Sequence, residues 1–89
     1  MKAFRAKITG KVQGVWFRKY TKETADRLNI KGFVRNEPDG SVYVEAEGNE
    51  EDLDFFAAWL HKGSPLSRVD HVEIQPMEIK NYKSFTIKR

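Results

Sequence analysis

Residues 4–12, Phe-Arg-Ala-Lys-Ile-Thr-Gly-Lys-Val, alternate strictly. Phe4, Ala6, Ile8, Gly10 and Val12 fall on one side, and Arg5, Lys7, Thr9 and Lys11 on the other. Successive side chains of a strand point to opposite faces, so this pattern predicts a strand with one buried face. After residues 13–16 the period changes. Phe17, Tyr20, Thr24 and Leu28, with Thr21 and Ala25 beside them, recur at helical spacing. Lys19–Glu23 and Glu23–Arg27 are four apart and favour that helix. Asn29 and Gly32 bracket its end. Residues 32–36 read as a second strand. Pro38-Asp39-Gly40 is a turn, because proline presets φ and glycine permits positive φ. Residues 41–47 alternate again, with Val42, Val44 and Ala46 inward and Ser41, Tyr43, Glu45 and Glu47 outward. Asn49 caps a second helix whose first turn, Glu50-Glu51-Asp52, suits the helix dipole. Leu53, Phe56, Ala57 and Leu60 form its stripe, His61 and Lys62 its last turn, and Gly63 and Pro65 end it. Residues 71–77 predict a fourth strand, with Val72 and Ile74 inward. Residues 84–88 predict a short fifth. Tyr20, Phe56 and Trp59 read as core.

The order β-α-β-β-α-β, plus a terminal strand, is the split βαβ pattern of a ferredoxin-like α+β fold. It predicts a two-layer sandwich: an antiparallel sheet with both helices on one face and a short extra C-terminal strand. The other sheet face is polar by this alternation, and its lysines on the first strand can oppose Glu45 and Glu47 on the third.

The chain has 89 residues, enough for one domain over residues 1–89. There is no cysteine, which excludes disulfides, thiolate metal sites and cysteine nucleophiles. The two histidines, His61 and His71, lack metal-ligand spacing, so no zinc site is expected. No apolar run approaches the roughly 20 residues of a membrane span, and the N-terminus has no signal-peptide apolar region. The expected location is the cytoplasm. The charges are unevenly placed. The first 22 residues hold seven Lys/Arg and no acid, while the remaining 67 hold nine against thirteen Asp/Glu. Pairing with acids on a neighbouring strand accounts for the strand lysines, but not for Arg18, which lies beyond the strand.

Arg18 draws attention to the connection Gln13-Gly14-Val15-Trp16. It has a glycine, no acid, and an arginine just inside the following helix. Glycine permits the left-handed geometry that turns successive amides inward, and such a nest at a helix N-terminus binds anions. Arginine adds bidentate donors for phosphate. No Gly-Lys-Ser/Thr follows, so this is not a Walker A loop.

These residues carry a specific likeness. Gly10-Lys11-Val12-Gln13-Gly14-Val15-Trp16-Phe17-Arg18 resembles the first signature of the acylphosphatase family. Gly32-Phe33-Val34-Arg35-Asn36, followed by Gly40, Val42 and Gly48, resembles the second. The resemblance implies hydrolysis of acyl phosphates to a carboxylate and inorganic phosphate, without metal or cofactor. It implies that Arg18 binds phosphate, that the loop Gln13, Gly14, Val15, Trp16, Phe17 and Arg18 forms a backbone cradle, and that Asn36 orients the attacking water. The chemistry is self-consistent. A carboxylate leaves as a stable anion, so no general acid is needed; what remains is to hold phosphoryl charge and place a water in line. The expected partners are a small acyl phosphate and inorganic phosphate as product inhibitor, with no nucleic acid, no membrane and a monomeric chain. The competing reading is a non-catalytic ferredoxin-like module binding carbamoyl phosphate or RNA. Against RNA, the third strand exposes Glu45 and Glu47 in this pattern, and carboxylates repel phosphates.

Overall fold

The computed structural model describes residues Met1–Arg89. Strand β1 (Lys2–Lys11) leads into helix α1 (Phe17–Arg27), then β2 (Lys31–Asn36), β3 (Val42–Gly48), α2 (Glu50–Lys62), β4 (Arg68–Pro76) and β5 (Phe85–Lys88). The strands lie in the order β4-β1-β3-β2-β5. The first four are antiparallel neighbours, as the ferredoxin-like pattern requires, and β5 joins β2 in parallel. The fifth strand thus makes the sheet mixed. No helix is long and apolar enough to cross a membrane.

The core fills the space between the inner sheet face and both helices. Phe4, Ile8, Val34 and Val44 from the strands meet Phe17, Phe56 and Leu60 from the helices. Helix α1 buries Phe17, Thr21, Thr24 and Ala25. Its buried hydroxyls bond one turn back: Thr21 Oγ1 to the Phe17 carbonyl at 2.7 Å and Thr24 Oγ1 to that of Tyr20 at 2.8 Å. That stripe leaves Tyr20 at its margin, 38% exposed, so Tyr20 is not core. Phe56 is fully buried and Trp59 packs against the cluster. Along α1 the pair that closes is Lys22–Asp26 at 2.8 Å, not the two pairs expected around Glu23. Asn49 occupies the N-cap of α2, but its side chain makes no capping bond; its carbonyl accepts the Leu53 amide at 2.9 Å.

Strand β4 starts three residues earlier than the alternation suggests. Its register against β1 shifts between Thr9 and Gly10, which pair with His71 and Val69 and leave Asp70 as the extra residue. This bulge changes the phase, so Val69 and Val72, three apart, both pack against the core, while Ile74 is exposed.

The outer face departs furthest from expectation. Glu45 and Glu47 point outward but are 7% and 1% exposed. The connection from β4 to β5 crosses over them. Glu47 accepts the backbone amides of Lys80 and Tyr82, and Glu45 accepts the Tyr82 and Tyr43 hydroxyls and Lys80 Nζ. Phe33 sits beneath, against Tyr43 and Tyr82. The expected lysine partners on β1 are replaced. Arg5 lies beside Glu45 in register but bonds Gln75 at 2.7 Å, and Lys7 pairs with Asp39 at 2.8 Å. Burial raises the Glu45 carboxyl, but its three donors outweigh this and hold it below the usual carboxylate range.

Candidate active site

Strands β1 and β2 end on the same side of the sheet, which brings the loop after β1 and the last residue of β2 to one place. The loop is tied at two points. Gln13 Nε2 donates to the carbonyls of Glu37 and Ser41, both at 2.8 Å, which fastens the loop to the β2–β3 turn. Ser64 Oγ donates to the Val15 carbonyl at 2.9 Å, which fastens it to the connection after α2. Val15 itself is buried in the core.

Within this loop the backbone is left-handed twice, at Gly14 (φ 72°) and at Trp16 (φ 64°), the N-cap of α1. None of the backbone amides from Gln13 to Lys19 donates to a protein acceptor. The first amides of any helix lack intrahelical partners. Here that set extends back through the loop, and the helix dipole adds positive potential at the same end. The result is a concave run of donors suited to an oxyanion.

A pocket of about 350 Å³ opens over this loop. Among the residues expected at the site, Gly14, Trp16, Phe17, Arg18 and Asn36 line it. Gln13 and Val15 do not; the Gln13 side chain and the Val15 backbone carbonyl anchor the loop instead. No acid lines the pocket, whereas Arg18, Lys19 and Arg89 do. Arg18 Nη1 donates to the carbonyl of Lys88 on β5 at 3.3 Å. Asn36 Oδ1 is buried and is the one buried side-chain polar atom of the chain with no hydrogen-bond partner. An unpaired buried acceptor costs about 1–3 kcal/mol, so its position at a pocket wall marks a place for a donor.

Sequence reasoning missed Ile87 and Arg89 at the pocket and Ser64 as an anchor, and it read Lys19 as a solvent-exposed neighbour of the site rather than part of it. Lys19 adjoins the motif and was reachable from it. Ile87 and Arg89 depend on β5 lying beside β2, which no local pattern reveals. No group of three His, Asp or Glu side chains is placed to hold a metal ion.

A family model described as acylphosphatase matches residues 4–87. The chain is 46% identical over 87 residues to an acylphosphatase of Archaeoglobus fulgidus, covering 98% of each. It is 42% identical over 88 residues to an acylphosphatase of Thermotoga maritima, covering 99% of this chain and 98% of that one. The crystal structure of acylphosphatase from Bacillus subtilis matches it with a TM-score of 0.97 at 33% identity, covering 100% of both chains.

Proposed function

Since the chain belongs to the acylphosphatase family and hydrolyses acyl phosphates to a carboxylate and inorganic phosphate, we propose that the loop amides and Arg18 hold the phosphoryl group while Asn36 places the attacking water. The observation that carries this reading is the unpaired Asn36 Oδ1 in the same pocket as Arg18 and the loop. A water that donates a hydrogen bond to Oδ1 keeps a lone pair free to face phosphorus. Its oxygen forms the new P–O bond as the bond to the acyl oxygen breaks, and the electron pair leaves on the carboxylate. The water's proton passes to a phosphoryl oxygen, so no side-chain base is needed. The free amides and Arg18 meet the negative charge of the phosphoryl oxygens throughout.

In this reading residues 1–89 act as one domain and as a monomer, because the pocket is complete within one chain. Inorganic phosphate competes with substrate, since both present the same group to the cradle. The cytoplasm is the proposed location, in keeping with the absence of cysteine. The non-catalytic alternative is disfavoured by the family match. Its RNA-binding form also meets an outer face where Phe33 and Tyr43 are engaged with Tyr82 and the buried carboxylates.

The test is hydrolysis of acetyl phosphate by purified protein with a chelator present, with wild type and Asn36→Ala compared. Turnover survives the chelator. The variant loses roughly 10²-fold in kcat, the loss typical of an oriented polar group in the transition state, and retains its phosphate Kd. An unchanged kcat removes Asn36 from the mechanism.

A further inference from the structure

Two apolar side chains of the pocket are left open to water: Trp16, 66% exposed, and Ile87, 40% exposed. Trp16 is oddly placed. Its backbone is left-handed, a conformation that glycine adopts freely and bulky residues resist. It is the N-cap of α1, where Ser, Thr, Asp or Asn would bond the first amides, yet its side chain makes no cap bond. Its ring is not part of the core. Backbone, cap and core therefore give no reason for an indole here. What Trp16 does is line the pocket, with Lys19 Nζ 5.7 Å from its ring centroid in a cation–π contact.

The other pocket residues divide the space. Val12 and Phe17 are each 1% exposed and form its closed floor. A phosphoryl group held by the loop amides and Arg18 must therefore direct its acyl group outward, past Trp16 and Ile87. An acetyl group is too short to cover these surfaces, whereas a flat apolar group can stack on the indole and remove both from water.

We propose that Trp16, with Ile87, forms an acyl-side wall that makes this chain prefer phosphorylated aromatic carboxylic acids over short aliphatic ones. The proposal rests on the phosphate placement argued above. The experiment measures kcat/KM for benzoyl phosphate and acetyl phosphate with wild type, Trp16→Gly, Trp16→Phe, Ile87→Ala and Arg18→Gln. The benzoyl-to-acetyl ratio falls about tenfold in Trp16→Gly, in line with one aromatic face lost from a binding surface. It falls severalfold in Ile87→Ala and is largely kept in Trp16→Phe, which restores a ring. Arg18→Gln lowers both substrates in parallel and leaves the ratio unchanged. Equal losses for both substrates in Trp16→Gly overturn the wall while leaving the phosphate site intact. Unchanged rates in Arg18→Gln overturn the phosphate placement and the proposal with it. A wild-type preference for an acyl phosphate carrying a second carboxylate, abolished by Arg89→Gln, overturns the apolar wall in favour of charge recognition.

Discussion

Arg18, in the first turn of α1, donates through Nη1 to the backbone carbonyl of Lys88 on β5, 3.3 Å away. The two residues are far apart in the chain, and the contact ties the cationic centre of the pocket to the last strand of the sheet. A carbonyl is a weaker partner than a phosphate dianion, so the guanidinium stays available to a ligand.

Inorganic phosphate should therefore stabilise the protein through this site. At 100 times its Kd, linkage gives about 2.7 kcal/mol. For a chain of this size that is a Tm rise of roughly 10–20 °C. Arg18→Gln removes the rise. Lys7→Gln, on the outer face in a pair with Asp39, retains it. Phosphate also stabilises proteins by exclusion from their surface, and the two variants separate that contribution. Equal shifts in wild type and Arg18→Gln, measured by thermal melts, would remove Arg18 from phosphate binding.

The last strand depends on one side chain. Phe85 is buried in the core and meets Phe56 edge to face, with centroids 5.9 Å apart. Phe85→Ala should cost about 3–5 kcal/mol. Because β5 also supplies Ile87 and Lys88 and leads directly into Arg89, phosphate affinity of the folded fraction should drop as well. Urea unfolding and phosphate titration at low temperature check the two effects independently. Lost stability with unchanged affinity would uncouple β5 from the pocket.

Two glycines with positive φ should respond differently to alanine. At Gly14 an added Cβ meets nothing within 4 Å, so only the left-handed backbone resists it. Gly14→Ala should cost about 1 kcal/mol and weaken phosphate binding by distorting the loop. At Gly32 a Cβ would lie 1.9 Å from the Glu45 carbonyl oxygen, which belongs to the β2–β3 ladder. Gly32→Ala should cost on the order of 3 kcal/mol or more. Denaturant midpoints for the two variants give the comparison, and similar midpoints would contradict it.

How much of this was legible in the sequence differs along the chain. The alternation over 41–47 placed Val42, Val44 and Ala46 correctly, and it placed Glu45 and Glu47 on the opposite face. It could not say that this face is covered. Two-fold periodicity reports which side a residue faces, not what else arrives there, and the cover comes from residues 77–84, which have no period. The bulge at Asp70 hid the start of β4 for a related reason, since it breaks the phase that pattern reading relies on. At the site, Arg18 and Asn36 stood out through their motifs. Ile87 and Arg89 did not, because their place depends on a parallel pairing between distant segments.

The covered Glu45 carboxylate gives the protein an acid-sensitive outer face. The folded state holds the Glu45 carboxyl below its ordinary value of 4.5, so its contribution to stability is present above that value. It is lost as pH falls through the lower folded value. Tyr43 works in the opposite sense. Burial first, and then Glu45, push its phenol up to about 12 from 10.0, so its contribution is present below pH 10.0 and lost on the way to 12. Glu45→Gln should lower stability at pH 7 and flatten the loss below pH 4.5. Parallel stability curves for wild type and variant across pH 3–7 would show that this carboxylate carries no such linkage.

The parallel docking of β5 has a consequence for association between copies of the chain. Without it, β2 would present a free row of amides and carbonyls beside the buried side chains of Phe33 and Val34. Such a border invites strand addition by another molecule and growth toward fibrils. With β5 in place, that border ends in a four-residue strand. The opposite border, β4, is bent by its bulge, charged at Arg68, Asp70 and Glu73, and closed by Pro76, which cannot donate. The segment that completes the pocket therefore also guards the sheet against polymerisation. A molecule that releases it loses the shape of its pocket and its colloidal protection in the same event.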